Sequence, residues 1–116
     1  MNILLLGSGG REHALAWRMA RSPRLRELYI APGNPGMAPY GTCFPEVGVT
    51  DFPAIAELIT KLNINLLVVG PEVPLVEGLV DYLRAKKGMH NLLIVGPDAK
   101  GAQIEGSKEF LSLIHI

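Results

Sequence analysis

The sequence predicts an α/β domain built on an open, mainly parallel sheet with flanking helices. Three observations predict it. Apolar runs of strand length alternate with amphipathic stretches of helix length. The clearest apolar runs are continuous, the pattern of strands covered on both faces. Glycine- and proline-rich loops follow the strand candidates, at the edge where open α/β sheets bind ligands.

The first strand is placed at residues 2–6, where Ile3, Leu4, Leu5 and Leu6 are uninterrupted. The cluster Gly7-Ser8-Gly9-Gly10 stops it and leads into a helix over residues 11–21, on which Ala14, Trp17, Ala20 and Arg21 fall near one face. A second strand is expected at residues 25–30 and a glycine- and proline-rich loop at 31–36. A short, weaker third strand is placed at 44–49. Residues 52–62 read as a helix, with Ile55, Leu58, Ile59 and Leu62 at helical spacing. Thr50 or Asp51 serves as its N-cap and Pro53 lies in its first turn. The next strand, 66–69, is ended by Gly70-Pro71, because proline cannot continue a ladder. Residues 76–87 repeat the helical pattern through Val76, Leu79, Val80 and Leu83, with Gly88 as the stop after two lysines. The last strand, 92–95, is closed by Gly96-Pro97. Strand, helix and strand in alternation imply βαβ units with right-handed crossovers.

A length of 116 residues fits one domain, or one domain and the start of another. Although 48% of the residues are hydrophobic, no apolar run approaches the ~20 residues that span a bilayer. Met1–Leu6 lacks a basic flank and is cut short by Gly7, so it reads as a strand and not a signal peptide. Eleven basic residues balance eleven acidic ones, which leaves no electrostatic footprint for nucleic acid or an anionic membrane. The single cysteine, Cys43, excludes an intramolecular disulfide and fits a reducing, cytoplasmic setting. His13, His90, His115 and Cys43 have no metal-ligand spacing, and no nucleophile–base arrangement stands out. No metal ligand and no catalytic residue is assigned.

The glycine loop carries the chemistry. A strand followed by bare backbone N–H groups at a helix N-terminus is a phosphate cradle, because the donors lack acceptors and the helix dipole favours an anion. Gly7, Gly9, Gly10 and Arg11 are the candidate phosphate residues, Arg11 as a charged partner in the first turn. A dinucleotide site would place its third glycine at position 12 and a carboxylate at the end of the second strand. The chain has Glu12 at the first place and Ala31-Pro32-Gly33-Asn34 at the second, which argues against a nicotinamide dinucleotide. Residues 101–108 have P-loop glycine spacing, but the final Ser107-Lys108 is reversed, so the segment is a decoy. Glu12 reads as a carboxylate favoured by the helix dipole. His13 caps, packs or meets a substrate, with the structural role favoured. Glu72, fixed between Pro71 and Val73-Pro74, suits a hydroxyl or an amine, or is an exposed loop charge. Asn34 offers its amide to a ligand or simply occupies a turn.

Four spaced motifs carry a resemblance: Gly7-Ser8-Gly9-Gly10-Arg11-Glu12-His13-Ala14-Leu15-Ala16-Trp17, Ala31-Pro32-Gly33-Asn34-Pro35-Gly36, Val69-Gly70-Pro71-Glu72-Val73-Pro74-Leu75-Val76 and Ile104-Glu105-Gly106-Ser107-Lys108. In this order they resemble the phosphoribosylamine–glycine ligase family. The resemblance implies a Rossmann-like, substrate-binding N-terminal domain over residues 1–100 and the truncated start of an ATP-grasp domain at 101–110. It implies a cytoplasmic enzyme of purine synthesis that activates glycine with ATP and Mg²⁺ (or Mn²⁺) and couples it to 5-phosphoribosylamine. Gly9, Gly10 and Arg11 would then hold the 5′-phosphate, Asn34 and Glu72 would face the ribose or amine, and Lys108 would reach an ATP phosphate. The implied partners are the small substrates and the ATP-grasp domains of the same chain, with no cofactor bound by these residues alone. A stand-alone sugar-phosphate or nucleotide module, or part of a sister ATP-grasp ligase or carboxylase, is the alternative. Residues 111–116 depart from the family pattern. They can be back-translated as CTG TCT CTT ATA CAC ATC, a transposase end sequence of library adapters, so a non-native tail is expected there.

Overall fold

A computed structural model describes residues 1–89 and 91–96. The expectations at 97–116, Lys108 among them, lie outside the described residues. Five strands form one parallel sheet: β1 (Asn2–Gly7), β2 (Glu27–Pro32), β3 (Thr42–Cys43), β4 (Leu66–Val69) and β5 (Leu93–Val95). Their spatial order is β3-β2-β1-β4-β5. Among the described residues the helices are α1 (Gly10–Ala20), α2 (Phe52–Lys61), α3 (Val73–Val76) and α4 (Leu79–Arg84), with one 3₁₀ turn at Pro35–Met37.

The continuous apolar reading of the first strand is explained by its central place. Ile3, Leu4, Leu5 and Leu6 are all fully buried, and successive side chains enter opposite cores. Leu4 and Leu6 meet Ile55 and Ile59 of α2 and Leu79 and Leu83 of α4. Ile3 and Leu5 meet Ala16 and Met19 of α1. Each such side chain contributes about 1.5–3 kcal/mol on burial, so the centre of the sheet anchors both layers. Asp51 is the cap of α2: its carboxylate accepts from Ala54 N at 3.4 Å, with Pro53 in the first turn.

Four local expectations change. The inward face of α1 is Glu12, Ala16 and Met19, not the Ala14/Trp17/Ala20 side. Trp17 stays 45% exposed because the guanidinium of Arg21 stacks over its ring at 4.7 Å, satisfying both groups outside the core. The second strand begins later and runs to Pro32, since β1 offers it pairing up to Leu6↔Ala31 and Gly7↔Pro32. The third strand is Thr42–Cys43, not 44–49. Phe44 N still bonds Ile30 O, but a turn from Val47 N to Phe44 O then ends the ladder. Val47 is buried, and Phe44 and Val49 pack against the same core, so this apolar run is a core-filling loop. The 76–87 helix is two pieces, broken at Gly78 with φ +95°. Val76 ends the first piece and is 82% exposed.

Candidate phosphate loop at the sheet's switch point

From β1 the chain builds β2 and β3 on one side and β4 and β5 on the other. The crevice beyond the C-terminal ends of β1 and β4 is therefore the topological switch point, the usual ligand position of such sheets. Three of the expected motifs converge there. Gly7 ends β1, Gly9 is the N-cap of α1, and Gly70 follows β4 with its N–H on Leu6 O at 2.9 Å. Gly33, after β2, donates to Gly7 O at 3.1 Å.

Glu12 is the residue that sequence reasoning undervalued. Its side chain is buried and turns back under the loop, where Oε1 accepts from Gly9 N at 2.9 Å. The space it fills exists because two glycines flank it. A Cβ on Gly7 would lie 2.3 Å from Glu12 Cγ, and one on Gly70 would lie 2.4 Å from the same atom. Gly7 also has φ +138°, a backbone conformation that side-chain-bearing residues rarely adopt. A glutamate three residues after an N-cap is the carboxylate half of a capping box, and that signal was present in the sequence. The strand-end glycines that admit it, 63 positions apart in the chain, meet only in the fold.

Arg11 sits on the rim. Its guanidinium donates to Gly70 O at 3.4 Å and lies 3.7 Å from Glu12 Oε2, with the side chain 68% exposed. The N–H groups of Gly10, Arg11 and Glu12, at the first three helical positions, have no acceptor within the helix. Gly9 N–H differs, being directed at Glu12. The loop thus offers an anion backbone donors and one exposed cation, above a buried carboxylate.

Asn34 joins two loops. Nδ2 donates to Ser8 O at 2.7 Å, and Oδ1 accepts from Gly36 N at 2.9 Å as the cap of the 3₁₀ turn. His13 packs edge-on to Tyr40 with centroids 5.6 Å apart, and its Cε1 lies 2.8 Å from where a Gly36 Cβ would stand. Packing is therefore the role this geometry gives His13. Glu72 is exposed at the start of α3, beyond β4, and its carbonyl accepts from Leu75 N and Val76 N. The structure thus brings Gly7, Gly9, Gly10, Arg11 and Asn34 around one loop, while Glu72 stands on the next strand end of the same edge.

Arg11 also lines a cleft of about 220 Å³ together with Leu15, Val69, Gly70, Val95 and Gly96. A larger groove of about 430 Å³ runs between α2 and Lys86, Lys87 and Met89, away from these loops. Among the described residues, no group of three or more His, Cys, Asp or Glu side chains could hold a metal ion. No described helix is long and apolar enough to cross a membrane.

The family model described as "Phosphoribosylglycinamide synthetase, N domain" matches residues 1–105. A phosphoribosylamine–glycine ligase of Mesorhizobium japonicum is 50% identical over 110 residues, covering 95% of this chain and 25% of the relative. Enzymes of the same name are 48% identical over 111 residues in Escherichia coli K12 and 48% identical over 110 residues in Clostridium acetobutylicum. A crystal structure of the Thermotoga maritima ligase matches 64% of this chain and 16% of its own, at 34% identity and a TM-score of 0.46. The chain spans about a quarter of the length of the curated relatives it matches. With a family match over 105 of its 116 residues, the chain belongs to the phosphoribosylglycinamide synthetase N-domain family.

Proposed function

We propose that this chain is the substrate-binding part of an ATP-dependent ligase that joins glycine to 5-phosphoribosylamine. Its own share of the work is to hold the sugar phosphate. The observation that carries this reading is the loop 7–11 at the switch point, whose free N–H groups and rim arginine suit one phosphate group. Gly10 N, Arg11 N and the Arg11 guanidinium contact the phosphate. Gly7 and Gly9 shape the loop, since Gly9 N–H is engaged by Glu12.

Asn34 and Glu72 face the ribose or the amine. Asn34 keeps one Nδ2 hydrogen and one Oδ1 lone pair beyond its two loop bonds. Glu72, an acceptor on an adjacent strand end, suits a hydroxyl or an ammonium group. The full reaction passes through a glycyl phosphate: the glycine carboxylate takes the γ-phosphoryl group of ATP, releasing ADP. The amine of 5-phosphoribosylamine then attacks the acyl carbon and releases phosphate. ATP, Mg²⁺ (or Mn²⁺) and glycine are handled mainly by the remaining three quarters of the enzyme, to which Lys108 of this chain adds a contact with an ATP phosphate.

A helix N-terminus contributes about 0.3–2 kcal/mol towards an anion and a charge-assisted hydrogen bond about 1.5–3. Their sum corresponds to roughly millimolar capture. Calorimetric titration with ribose 5-phosphate and with ribose tests the reading. Saturable binding of the phosphate ester and none of ribose is expected. Equal binding of both, or of neither, would refute it.

A further inference from the structure

We propose that Glu12 is the specificity-determining residue of the phosphate loop, a buried negative charge that admits a single phosphate and turns away a pyrophosphate. The proposal rests on the reading of residues 7–11 as a phosphate loop. In a dinucleotide-binding turn the pyrophosphate lies across the switch point, and the third glycine of the fingerprint leaves room for close packing of helix on strand. This chain has a glutamate at that third position. Its carboxylate fills the crevice between the ends of β1 and β4, with the backbones of Gly7 and Gly70 on either side. Only 6% of the residue is exposed, and Gly9 N–H fixes Oε1 in place.

Among the described residues the charge is balanced from one side, by Arg11. Arg11 Nε approaches Oε2 at 3.7 Å from the rim, and the same guanidinium reaches Gly70 O. A single phosphate on the outer side of the loop meets Gly10 N, Arg11 N and the guanidinium, which stands between it and the carboxylate. A second phosphate continuing over the strand ends meets Glu12 with no cation of the described residues interposed. Selectivity of this kind comes from a repulsive group built against the competitor.

The matched probes are ribose 5-phosphate and ADP-ribose, which is the same sugar phosphate extended through a pyrophosphate. Both are titrated into the 116-residue chain, Glu12→Gln and Glu12→Ala, with amide spectra recorded to confirm the fold. Glu12→Gln keeps the shape and the acceptor for Gly9 N–H and removes only the charge. The expected ratio of dissociation constants, ADP-ribose over ribose 5-phosphate, is tenfold or more in the unaltered chain. It should fall at least threefold in Glu12→Gln and further in Glu12→Ala. An unchanged ratio in folded Glu12→Gln overturns the proposal and leaves the phosphate-loop reading standing, whether or not Glu12→Ala folds. If the unaltered chain binds neither probe, the phosphate-loop reading falls and the proposal falls with it. Binding of neither probe by any folded variant overturns both.

Discussion

Replacing Gly70 by alanine tests the packing of the loop without touching any group proposed to meet substrate. The added Cβ would stand 2.4 Å from Glu12 Cγ and 2.6 Å from both Cδ and Oε2. Gly70 is not among the residues with positive φ, so backbone strain does not enter. Glu12 has little room to yield, because its Cγ is already 2.3 Å from the Cβ position of Gly7 and Oε1 is held by Gly9 N at 2.9 Å. Overpacking of this kind costs about 1–3 kcal/mol. Dislodging the carboxylate from its charge-assisted bond adds about 1.5–3 kcal/mol. The expected loss is about 2.5–6 kcal/mol, a large part of the roughly 5–15 kcal/mol by which domains are stable. Urea unfolding followed by circular dichroism measures it. Gly10→Ala is the control, since nothing lies within 4 Å of its Cβ position. In the Glu12→Ala background the cost of Gly70→Ala should drop below about 1 kcal/mol, because the two sites are in contact and couple. A loss under about 0.5 kcal/mol for Gly70→Ala alone, or an equal loss in both backgrounds, would refute the described packing.

Three other outcomes are expected. Gly78→Ala should destabilise the chain by about 1–2 kcal/mol through backbone alone, since φ is +95° and no atom lies within 4 Å of the new methyl group; a melting temperature equal to the parent's contradicts the break between α3 and α4. Arg11→Ala should weaken ribose 5-phosphate by about tenfold, the low end for a charge-assisted bond, because the side chain is 68% exposed, and should weaken it more than Glu12→Ala does; calorimetry decides. The 116-residue chain supplied with ATP, Mg²⁺, glycine and 5-phosphoribosylamine should form no glycinamide ribonucleotide above background, and product detected by mass spectrometry would show that residues proposed to lie elsewhere are not needed.

The parallel sheet was legible because four of its five strands lie in apolar runs, each followed by a punctuating loop. Periodicity did less well where local and tertiary demands part. Phe44, Val47 and Val49 look like a strand because they are buried, yet they are buried as a loop. Trp17 looks like a core residue, but Arg21 gives it a partner outside, and the smaller Ala16 and Met19 take the inner face. Val76 has the spacing of a core position only if residues 76–87 form one helix, and Gly78 ends that phase. At the site, the glycine loop and Arg11 could be read from local sequence. The capping bond of Glu12 to Gly9 was legible there too, but its burial was not, because the notch that receives it is made by Gly7 and Gly70, which come together only when β1 and β4 pair. Asn34 is similar: a turn residue by sequence, it is tied by the fold to Ser8 on a different loop.

The central claim is that residues 7–11 form the cradle for one phosphate group. The most direct measurement is a titration of the isotopically labelled 116-residue chain with ribose 5-phosphate, following every backbone amide by NMR. The largest saturable shifts should fall on Gly10 and Arg11, with smaller ones at Ser8, Gly70 and the Asn34 side chain, and none around Lys86 and Lys87. Saturable shifts centred on the groove between α2 and Met89, with the amides of residues 7–14 unmoved, would contradict it.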